Sequence, residues 1–446
     1  MFKRIIILIS ALALVAASSG CSLRNSEITD LFQPPRLGEE QQAVLDALRS
    51  VAGSDYTLKY PHTGSNRSAI YFADMDGDGK NEAAAFYTPS GMANVQLQFF
   101  DSVNGAWVPY ASVNGDCSEI YCCEFADIDG NGSKELAVGW DISLTGTTSS
   151  ASLPSRGLSI YGFSEETIKQ VFSVPYSYML KVNLNSDAAD EIAIISTETA
   201  EDTEAPTQKT KLSVVEAVDG AISAGRSVEL FSGVSSYVSF ISGKVGDGEP
   251  AVFIDAKLSD NEYITQIARY DGDGLKLLLP SAETNPSKRT NAVCCMDINQ
   301  DTIVEFPICS PLPDYGESSP TIRYRTDWCT FENGVFTTTL SSVIGLSYGF
   351  YITIYEENRN RITVDFNPEQ ALYTVRVANG SLTGKPLFSV KRFAEDKSED
   401  ITAEGYSVLF NSNGYTVAAK LLSDSFNGKP LTMSNISEIV HPLSTQ

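Results

Sequence analysis

Short apolar runs recur along residues 68–345 and are separated by polar stretches. In several of these runs, among them VQLQFFD and LSIYGFS, apolar and polar residues alternate as they do in half-buried β-strands. Other runs are continuously apolar and equally short, at roughly five to eight residues each. This pattern predicts a mainly β protein that is built from many short strands.

The strands belong to a repeated unit whose most regular part is an acidic stretch followed by an apolar strand. ADMDGDGKNEAAAFY (73–87) recurs as ADIDGNGSKELAVGW (126–140), VNLNSDAADEIAIIS (182–196) and MDINQDTIVEFPICS (296–310). A degraded copy, GKVGDGEPAVFID, lies between the last two. The glutamates that end the acidic stretches follow at intervals of 53 to 58 residues: Glu82, Glu135, Glu191, Glu249 and Glu305. The chain therefore contains five units of about 55 residues.

Each unit also repeats its later strands. After the first apolar strand come a second strand, a tight turn and a third strand, and a further connection leads to the strand before the next acidic stretch. Residue pairs that accept positive φ mark this turn in four units: Asn104-Gly105, Asp219-Gly220, Asp273-Gly274 and Asn333-Gly334. One four-stranded unit cannot bury its own faces, so the units must pack on one another. The expected fold is a β-propeller of four-stranded blades.

The acidic stretches carry oxygen ligands at alternate positions. In the first loop (74–82), positions one, three and five are Asp74, Asp76 and Asp78, and position nine is Glu82. Position seven, Lys80, can offer its backbone carbonyl, and a glycine at position six allows a sharp turn. Hard oxygen ligands on a tightly turned chain are the ligands that Ca²⁺ prefers. The sequence therefore predicts a calcium loop.

Three further loops offer similar ligand sets at positions one, three, five, seven and nine. These are Asp127, Asp129, Asn131, Ser133 and Glu135 in the second loop (127–135), Asn183, Asn185, Asp187, Ala189 and Glu191 in the third loop (183–191), and Asp297, Asn299, Asp301, Ile303 and Glu305 in the fifth loop (297–305). An EF-hand would require a carboxylate at position twelve and a helix after the loop. Position twelve is apolar in all four loops and lies in a strand-like run, so the EF-hand interpretation fails.

The recurrence of this loop in phase, with the acid at position nine followed directly by a strand, resembles the FG-GAP/VCBS-type repeats of integrin-α-like β-propellers. The resemblance covers residues 68–345. It implies that each acidic loop joins the first two strands of a blade and holds one Ca²⁺. The segment before the repeats is similar to exported bacterial lipoproteins that carry such repeats.

The loops differ in their carboxylates and in the residue at position six. That residue is glycine in the first two loops, Thr302 in the fifth and Ala188 in the third, where only two ligand carboxylates remain. Because fewer charges and a strained turn weaken binding, we expect the first loop to bind most tightly and the third most weakly. In the fourth unit the ligand positions fall at Ile241, Gly243 and Val245, so that site should be empty. The expectation is about two to four Ca²⁺ ions.

The first 21 residues have the features of a bacterial export signal. Lys3 and Arg4 precede a run of about 13 apolar residues, which is too short to span a bilayer as a helix. The run ends in Ser18-Ser19-Gly20-Cys21, which resembles a lipobox, although Ser18 replaces the usual Leu, Val or Ile. Residues 1–21 are therefore expected to be a lipoprotein signal peptide, with lipid attached to Cys21 at the outer face of the cell membrane. The alternative is cleavage and release, with Cys21 as an ordinary thiol.

The chain is strongly acidic, with 56 Asp and Glu against 32 Lys and Arg and a formal net charge of −24. Removal of the signal deletes two basic residues and no acid, which gives −26. Nucleic-acid binding is excluded because it requires basic patches, and the lipid anchor is the expected membrane contact. Seven cysteines remain after Cys21, an odd number that cannot all pair. The vicinal pairs Cys122-Cys123 and Cys294-Cys295 are interpreted as buried or half-buried thiols.

Segments outside the repeats flank the expected propeller, which is assigned residues 54–345. Residues 22–53 are expected to form a tether and an amphipathic helix, with apolar residues at helical spacing: Ala43, Val44, Ala47, Leu48 and Val51. Residues 346–446 are expected to form a small α+β domain with a hairpin across Asn413-Gly414 and a short helix capped by Ser434. The alternative is that these strands complete a ring of six or seven blades.

No catalytic residue is identified by the sequence. It contains no HExxH and no phosphate-binding glycine loop, and its two histidines, His62 and His441, lie far apart without a motif. Loops on a rigid scaffold often carry recognition, and the long polar connections lie opposite the acidic loops: 141–157, 197–210, 256–263 and 310–321. We therefore expect a calcium-stabilised surface lipoprotein that binds a protein or glycan ligand on that face. The alternatives are an envelope-assembly scaffold that works through its C-terminal domain and a polysaccharide hydrolase or lyase.

Overall fold

A computed structural model describes residues 38–64, 66–141, 156–164, 167–200, 207–272, 274–316, 322–394, 398–412 and 414–443. The expected signal peptide, Cys21, most of the tether and parts of the long connections lie outside these ranges. None of the helices in the described residues is long and apolar enough to cross a membrane.

The first four units form separate antiparallel sheets. The first contains β1 (Tyr56–Leu58), β2 (Ile70–Ala73), β3 (Glu82–Pro89), β4 (Gln96–Val103) and β5 (Ala106–Asn114). The second contains β6 (Ile120–Ala126), β7 (Glu135–Trp140), β8 (Arg156–Ser164) and β9 (Thr167–Tyr176). The third contains β10 (Tyr178–Val182), β11 (Glu191–Ala200), β12 (Thr207–Val218) and β13 (Ala221–Glu229). The fourth contains β14 (Val234–Lys244), β15 (Pro250–Leu258), β16 (Tyr263–Asp271) and β17 (Gly274–Leu277). Consecutive strands pair along each of these sheets, except that β1 and β2 both pair with β3.

The remaining strands form the fifth sheet, a C-terminal sheet and a small hairpin. The fifth sheet contains β18 (Phe306–Pro311), β19 (Tyr324–Glu332), β20 (Val335–Gly345) and β21 (Phe350–Thr353). The C-terminal sheet contains β22 (Ile362–Asn367), β23 (Leu372–Val377), β24 (Pro386–Ala394), β25 (Ser407–Ser412) and β26 (Tyr415–Leu421), and the hairpin contains β27 (Ser425–Phe426) and β28 (Lys429–Pro430). The last strand, β29 (Val440–Pro442), pairs with β21. Strands from both sides of residue 345 therefore share the fifth sheet.

Among the described residues, the helices are α1 (Glu39–Ala52), α2 (Ser398–Ala403) and α3 (Met433–Ser437), with short 3₁₀ turns at Leu346–Tyr348 and Glu356–Asn358. Helix α1 lies where the sequence predicts a helix, but its buried face is centred on Val44, Leu45 and Leu48. Ala43 and Val51, which were expected on that face, are exposed.

The expected cap of α3 is wrong. The helix begins after Thr432, whose side chain accepts the backbone N–H of Asn435 while the Asn435 side chain accepts the N–H of Thr432. Ser434 lies inside the helix. The reciprocal pair satisfies two backbone donors at the helix start, which is why Thr432 defines the boundary.

Three of the four predicted turn pairs have the expected backbone conformation. Asn104, Asp219 and Asn333 have φ between 51° and 52°, and the glycine after each also has positive φ. In the fourth unit the positive φ falls earlier, at Gly272. Asp273 of the predicted pair lies outside the described residues.

The sheets pack on one another in chain order. Separate hydrophobic clusters join the first sheet to the second, the second to the third, the third to the fourth and the fourth to the fifth. A further cluster joins the fifth sheet to the C-terminal sheet, and α1 covers the remaining face of the first sheet. Within the described chain, none of these clusters contains residues of both the first sheet and the C-terminal sheet. The core is therefore a series of layers, each contributed by neighbouring units.

Candidate metal centre

The acidic loops occupy equivalent places in four units. The first three connect β2 to β3, β6 to β7 and β10 to β11, and the fifth loop precedes β18. Position twelve, which lies three residues after the glutamate at position nine, falls within a strand in every case, as expected: Ala85, Val138, Ile194 and Ile308. The acidic loops are thus followed by strands rather than by helices.

The glutamate at position nine anchors each loop in the same way. Its Oε2 accepts the backbone N–H of position two, at distances of 2.7 to 3.2 Å: Glu82 from Met75, Glu135 from Ile128, Glu191 from Leu184 and Glu305 from Ile298. All four glutamates are buried. The hydrogen bond holds one carboxylate oxygen against the loop and leaves Oε1 as the oxygen that can coordinate a cation.

The carboxylate at position one closes the loop from the other side. Oδ2 of Asp74 accepts the N–H of Gly79 at 3.0 Å, and Oδ2 of Asp127 accepts the N–H of Gly132 at 3.0 Å. In both loops, positions four and six have positive φ, which glycine adopts without strain. The sequence pattern and the backbone geometry agree closely in these two loops.

Two groups of carboxylates converge. Oxygens of Asp74, Asp76 and Asp78 lie within 4.8 Å of one another in the first loop, and those of Asp127, Asp129 and Glu135 do so in the second. Glu82 is not a member of the first group. Like charges at this separation repel one another, and a cation among them would relieve the repulsion. In the first group Asp78 already has a partner, because Lys80 Nζ lies 2.7 Å from its Oδ2.

Unpartnered buried oxygens provide a second test of the fit to a cation. Oδ1 of Asp127 and Oε1 of Glu191 are buried and have no hydrogen-bond partner among the described residues. Leaving a buried polar atom unpartnered costs about 1–3 kcal/mol. Together with backbone carbonyls, these hard anionic oxygens form a donor set that suits Ca²⁺ better than a soft metal.

Burial also changes the acidity of the anchoring glutamates. Removal from water, with a contribution from neighbouring carboxylates, raises the pKa of Glu135, Glu191 and Glu305 to about 7. The same causes raise the pKa of Glu82. A bound cation would favour the ionised form of each carboxyl, which burial alone disfavours.

The third loop departs from this geometry. Nδ2 of Asn183 donates to the carbonyl oxygens of Asp187 and Ala189, at 2.8 and 3.1 Å. The carbonyl expected to serve as the position-seven ligand is therefore engaged by the amide. The strained turn expected at Ala188 is not found, because the positive φ falls at Ser186 instead.

The fifth loop has the predicted strain at position six. Thr302 has φ of 75°, and Gln300 has φ of 63°. Oε1 of Glu305 accepts a hydrogen bond from Thr339 Oγ1 at 3.2 Å, and it also lies 3.4 Å from Asn299 Nδ2. This oxygen is therefore less available than its counterpart in the third loop.

In the fourth unit, the corresponding turn is closed by a hydrogen bond from the N–H of Val245 to the carbonyl of Glu249. No acidic side chain stands at positions one, three and five of this unit, which are Ile241, Gly243 and Val245.

The first three loops lie side by side. A Cβ added to Gly77 would lie 3.2 Å from Ser133 Oγ, and one added to Gly130 would lie 3.5 Å from Ala189 Cβ. A larger residue at Gly77 would thus press against the second loop. The loops form a continuous acidic surface rather than isolated turns.

Two features were missed at the sequence level. The first is a fully buried ion pair in which Arg289 Nη2 lies 2.8 Å from Asp255 Oδ1, and Thr265 Oγ1 and the Cys295 N–H also donate to this carboxylate. The single acid in the apolar strand AVFIDAKL was the available signal. The second feature is a cleft beside Arg392, for which no sequence motif exists.

The cysteines take no part in the acidic loops. Cys122, Cys123, Cys295 and Cys329 are buried and Cys117, Cys294 and Cys309 are half-buried, and all seven are free thiols. Burial raises the pKa of the Cys122 thiol to about 11 and that of Cys294 to about 12. Both thiols are therefore protonated, and poorly nucleophilic, at neutral pH.

No family model matches the chain, and no curated protein matches it. Among solved structures, it is similar to a rhamnogalacturonan lyase of Bacillus licheniformis, with a TM-score of 0.32 and 13% identity over 75% of each chain. It is also similar to the Dos1 propeller, with a TM-score of 0.28 and 11% identity over 71% of this chain and 67% of the other. A protein from Lactobacillus plantarum gives a TM-score of 0.29 and 8% identity over 74% and 93%. Similarity at this level says nothing about substrate or activity.

Proposed function

We propose that this protein is a calcium-stabilised cell-surface binding module whose four-stranded units are arranged as a β-propeller. The observation that carries the proposal is one loop geometry repeated in four units, in which a buried glutamate closes an acidic turn. The repeated geometry is the physical counterpart of the FG-GAP/VCBS-type sequence pattern. Consecutive packing of the sheets supports a stack of equivalent blades.

Ca²⁺ has a structural role in this proposal. Asp74, Asp76 and Asp78 would hold one ion, and Asp127, Asp129 and Glu135 would hold another, because their oxygens already converge. The fifth loop adds a weaker site, and the third is weakest because Asn183 occupies its carbonyl ligands. The ions would neutralise the clustered charge and stiffen the end of the blades where the loops meet.

The end of the blades opposite the acidic loops is the proposed recognition surface, where a protein or glycan ligand binds. The connections at that end are long and polar, whereas the ends with acidic loops are compact. At this end His62 lies between two acids, with Nε2 3.6 Å from Glu119 Oε2 and Nδ1 3.9 Å from Asp141 Oδ2, and Lys59 pairs with Glu119 at 2.6 Å. These exposed and half-buried charges offer polar contacts to a partner.

Ligand capture tests the binding function. A soluble chain without the signal and Cys21 (22–446) would be immobilised and exposed to fractionated envelope and glycan pools, once in calcium and once in chelator. Retention of one defined component in calcium, and its loss in chelator, supports the proposal. Retention of nothing in either condition by folded protein rejects it.

Export and lipid attachment at Cys21 are proposed from the signal sequence. Metabolic labelling with an alkyne fatty acid should label the native chain and not the Cys21→Ser variant. Mass spectrometry of the processed N-terminus should find diacylglycerol on Cys21. An unmodified chain in the culture medium would contradict the anchor.

A scaffold that works through the C-terminal residues is the second candidate, because these residues form a large sheet of their own. Deletion after residue 345 cannot test it cleanly. That deletion removes β21 and β29 from the fifth sheet and uncovers a core that includes Val343 and Leu312. Surface substitutions on the C-terminal sheet are the appropriate test, with loss of a bound partner as the readout.

A further inference from the structure

We propose that a cleft between the fourth and fifth units and the C-terminal sheet binds a sugar ring that carries a carboxylate. This inference rests on the proposed binding function and specifies the chemistry of its ligand. The cleft has a volume of about 510 Å³, within the range of small-molecule sites. Residues from three parts of the chain line it, among them Val238, Cys294, Leu346, Arg392 and Tyr415.

Arg392 gives the cleft its charge. It is the only charged residue among the described residues that line the cleft, in a chain with 56 acids. Within the described chain it forms no ion pair, and its hydrogen bond goes from Nη1 to the Ser347 carbonyl at 2.6 Å. The other guanidinium N–H groups remain for a ligand, and a planar guanidinium recognises a carboxylate by paired hydrogen bonds.

An aromatic ring fixes the position of this charge. The Arg392 guanidinium lies 3.2 Å from the centre of the Tyr415 ring, which is close enough for a cation–π contact. The two residues lie on neighbouring strands, where Arg392 of β24 pairs in register with Val417 of β26, two residues from Tyr415. The stacking limits the guanidinium to one orientation, so less freedom is lost when a ligand binds.

The cleft also exposes large apolar side chains beside hydroxyl groups. Val238, Leu346 and Tyr415 are 44%, 51% and 40% exposed. Ser239, Ser347 and Ser412 are among the other lining residues. Apolar surface, hydroxyls and one cation in a concave site match a sugar ring, whose C–H face is apolar and whose edge carries hydroxyls and a carboxylate.

A peptide ligand fits the cleft less well. The strands that carry Arg392 and Tyr415 are paired on both sides, since β24 lies between β23 and β26, and β26 lies between β24 and β25. These strands offer no free edge to which an extended peptide could add as a further strand. Recognition by these two strands must use side chains, which suits a compact ligand.

The test is calorimetric titration of the soluble chain without Cys21 (22–446) with an alginate tetrasaccharide, a hyaluronan tetrasaccharide and neutral maltotetraose. Each titration is run in calcium and in chelator, because the acidic saccharides themselves bind calcium. We expect at least one acidic saccharide to bind at least tenfold more tightly than maltotetraose. Arg392→Gln and Tyr415→Ala should each weaken that binding at least tenfold.

Arg376→Gln is the matched control, because Arg376 lies in the same sheet and contacts Gly384 and Asp365 rather than the cleft. It should leave binding unchanged. Thermal melting of each variant separates loss of binding from loss of folding, and Arg392→Lys, which retains the charge, should recover part of the affinity.

Equal binding of acidic and neutral saccharides, or binding that is unaffected by Arg392→Gln, would overturn the inference. Preferential binding of an acidic tetrapeptide would also overturn it and point to a peptide site. If no saccharide binds while calcium-dependent capture from envelope pools succeeds, this inference fails and the proposed binding function stands. Failure of both experiments rejects both.

Discussion

Asp127 and Asp190 tie the second acidic loop to the third. The N–H of Asp190 donates to the carbonyl oxygen of Asp127 at 2.7 Å, and the N–H of Asp127 donates to Oδ2 of Asp190 at 3.2 Å. Asp127 is position one of the second loop, and Asp190 precedes the glutamate that closes the third. Lys181 Nζ also donates to Asp190 Oδ2, at 3.1 Å. The backbone of one loop is thus a hydrogen-bond partner of the other.

Asp190→Ala should destabilise the protein although Asp190 is not a predicted metal ligand. The substitution leaves the Asp127 N–H without its acceptor and removes one of the two acceptors of the Lys181 ammonium, which also donates to the Phe125 carbonyl. It should lower the free energy of unfolding by about 1–2 kcal/mol. Urea denaturation in saturating calcium measures this. Asp271→Ala is the control, because it removes only an exposed ion pair with Lys276 and should cause no measurable change. Equal effects of the two substitutions would show that the link between the loops is energetically unimportant.

The repeated pattern predicted the strands and the turns of the acidic loops because both depend on local sequence. Strand alternation and the left-handed positions at Gly79 and Gly132 are encoded within a few residues. The contact of Asp190 with Asp127 could not be predicted, because it joins residues of two units whose relative placement depends on sheet packing. The third loop was mispredicted at Ala188 because the Asn183 amide donates where a carboxylate would accept.

Contacts between distant residues were also not predicted at the two ends of the chain. The spacing of apolar residues predicted a helix before the repeats and placed Val44 and Leu48 on its buried face, but it missed Leu45 and wrongly included Ala43 and Val51. That face is chosen by the first sheet, against which Val44 and Leu48 pack. The sequence likewise did not reveal that β29, near the end of the chain, returns to the fifth sheet. Long-range pairing of this kind leaves no local signature.

In chelator, acidification should stabilise the protein. The pKa of Glu135, Glu191 and Glu305 is about 7 in the folded chain because of burial, against about 4.3 for an exposed glutamate. Between these values the folded state binds more protons than the unfolded state, so stability rises as the pH falls from about 8 to about 5. Melting temperatures across this range measure the effect.

Glu135→Gln provides the control for this pH dependence, because the amide cannot ionise and its oxygen can still accept the N–H of Ile128. The variant should show a smaller rise in melting temperature on acidification. In calcium, protons compete with the ion for the carboxylates. The affinity for calcium should therefore fall as the pH falls. A melting temperature in chelator that falls steadily from pH 8 to 5 would contradict the prediction.

Thr302→Gly should stabilise the fifth loop. A β-branched residue at φ of 75° is strained, and glycine removes that strain at the expense of greater freedom in the unfolded chain. The net gain should be about 0.5–1 kcal/mol in the free energy of unfolding. Thr284→Gly, at an exposed threonine that lacks positive φ, should instead destabilise the chain by about 0.5–1 kcal/mol. Destabilisation by both substitutions to the same extent would mean that Thr302 carries no strain.

Asp255→Ala should destabilise the fourth unit strongly. The substitution leaves the buried Arg289 guanidinium without its counter-ion, and breaking a buried pair in this way costs about 3–5 kcal/mol. Asp247→Ala, which breaks the more exposed pair with Arg269, should cost about 1 kcal/mol or less. Chemical denaturation of both variants supplies the comparison. A loss below about 1 kcal/mol for Asp255→Ala would show that the pair is not important for stability.

Calorimetric titration of the calcium-free protein with CaCl₂ tests the central claim most directly. We expect about two or more ions to bind with affinities of about 10⁻³ M or tighter, accompanied by a rise in melting temperature. Asp74→Asn and Asp127→Asn should each abolish or weaken one of these sites, whereas Asp271→Asn, outside the loops, should leave all of them intact. Absence of binding heat at millimolar calcium, with no change in melting temperature, would contradict the assignment of the acidic loops as calcium sites.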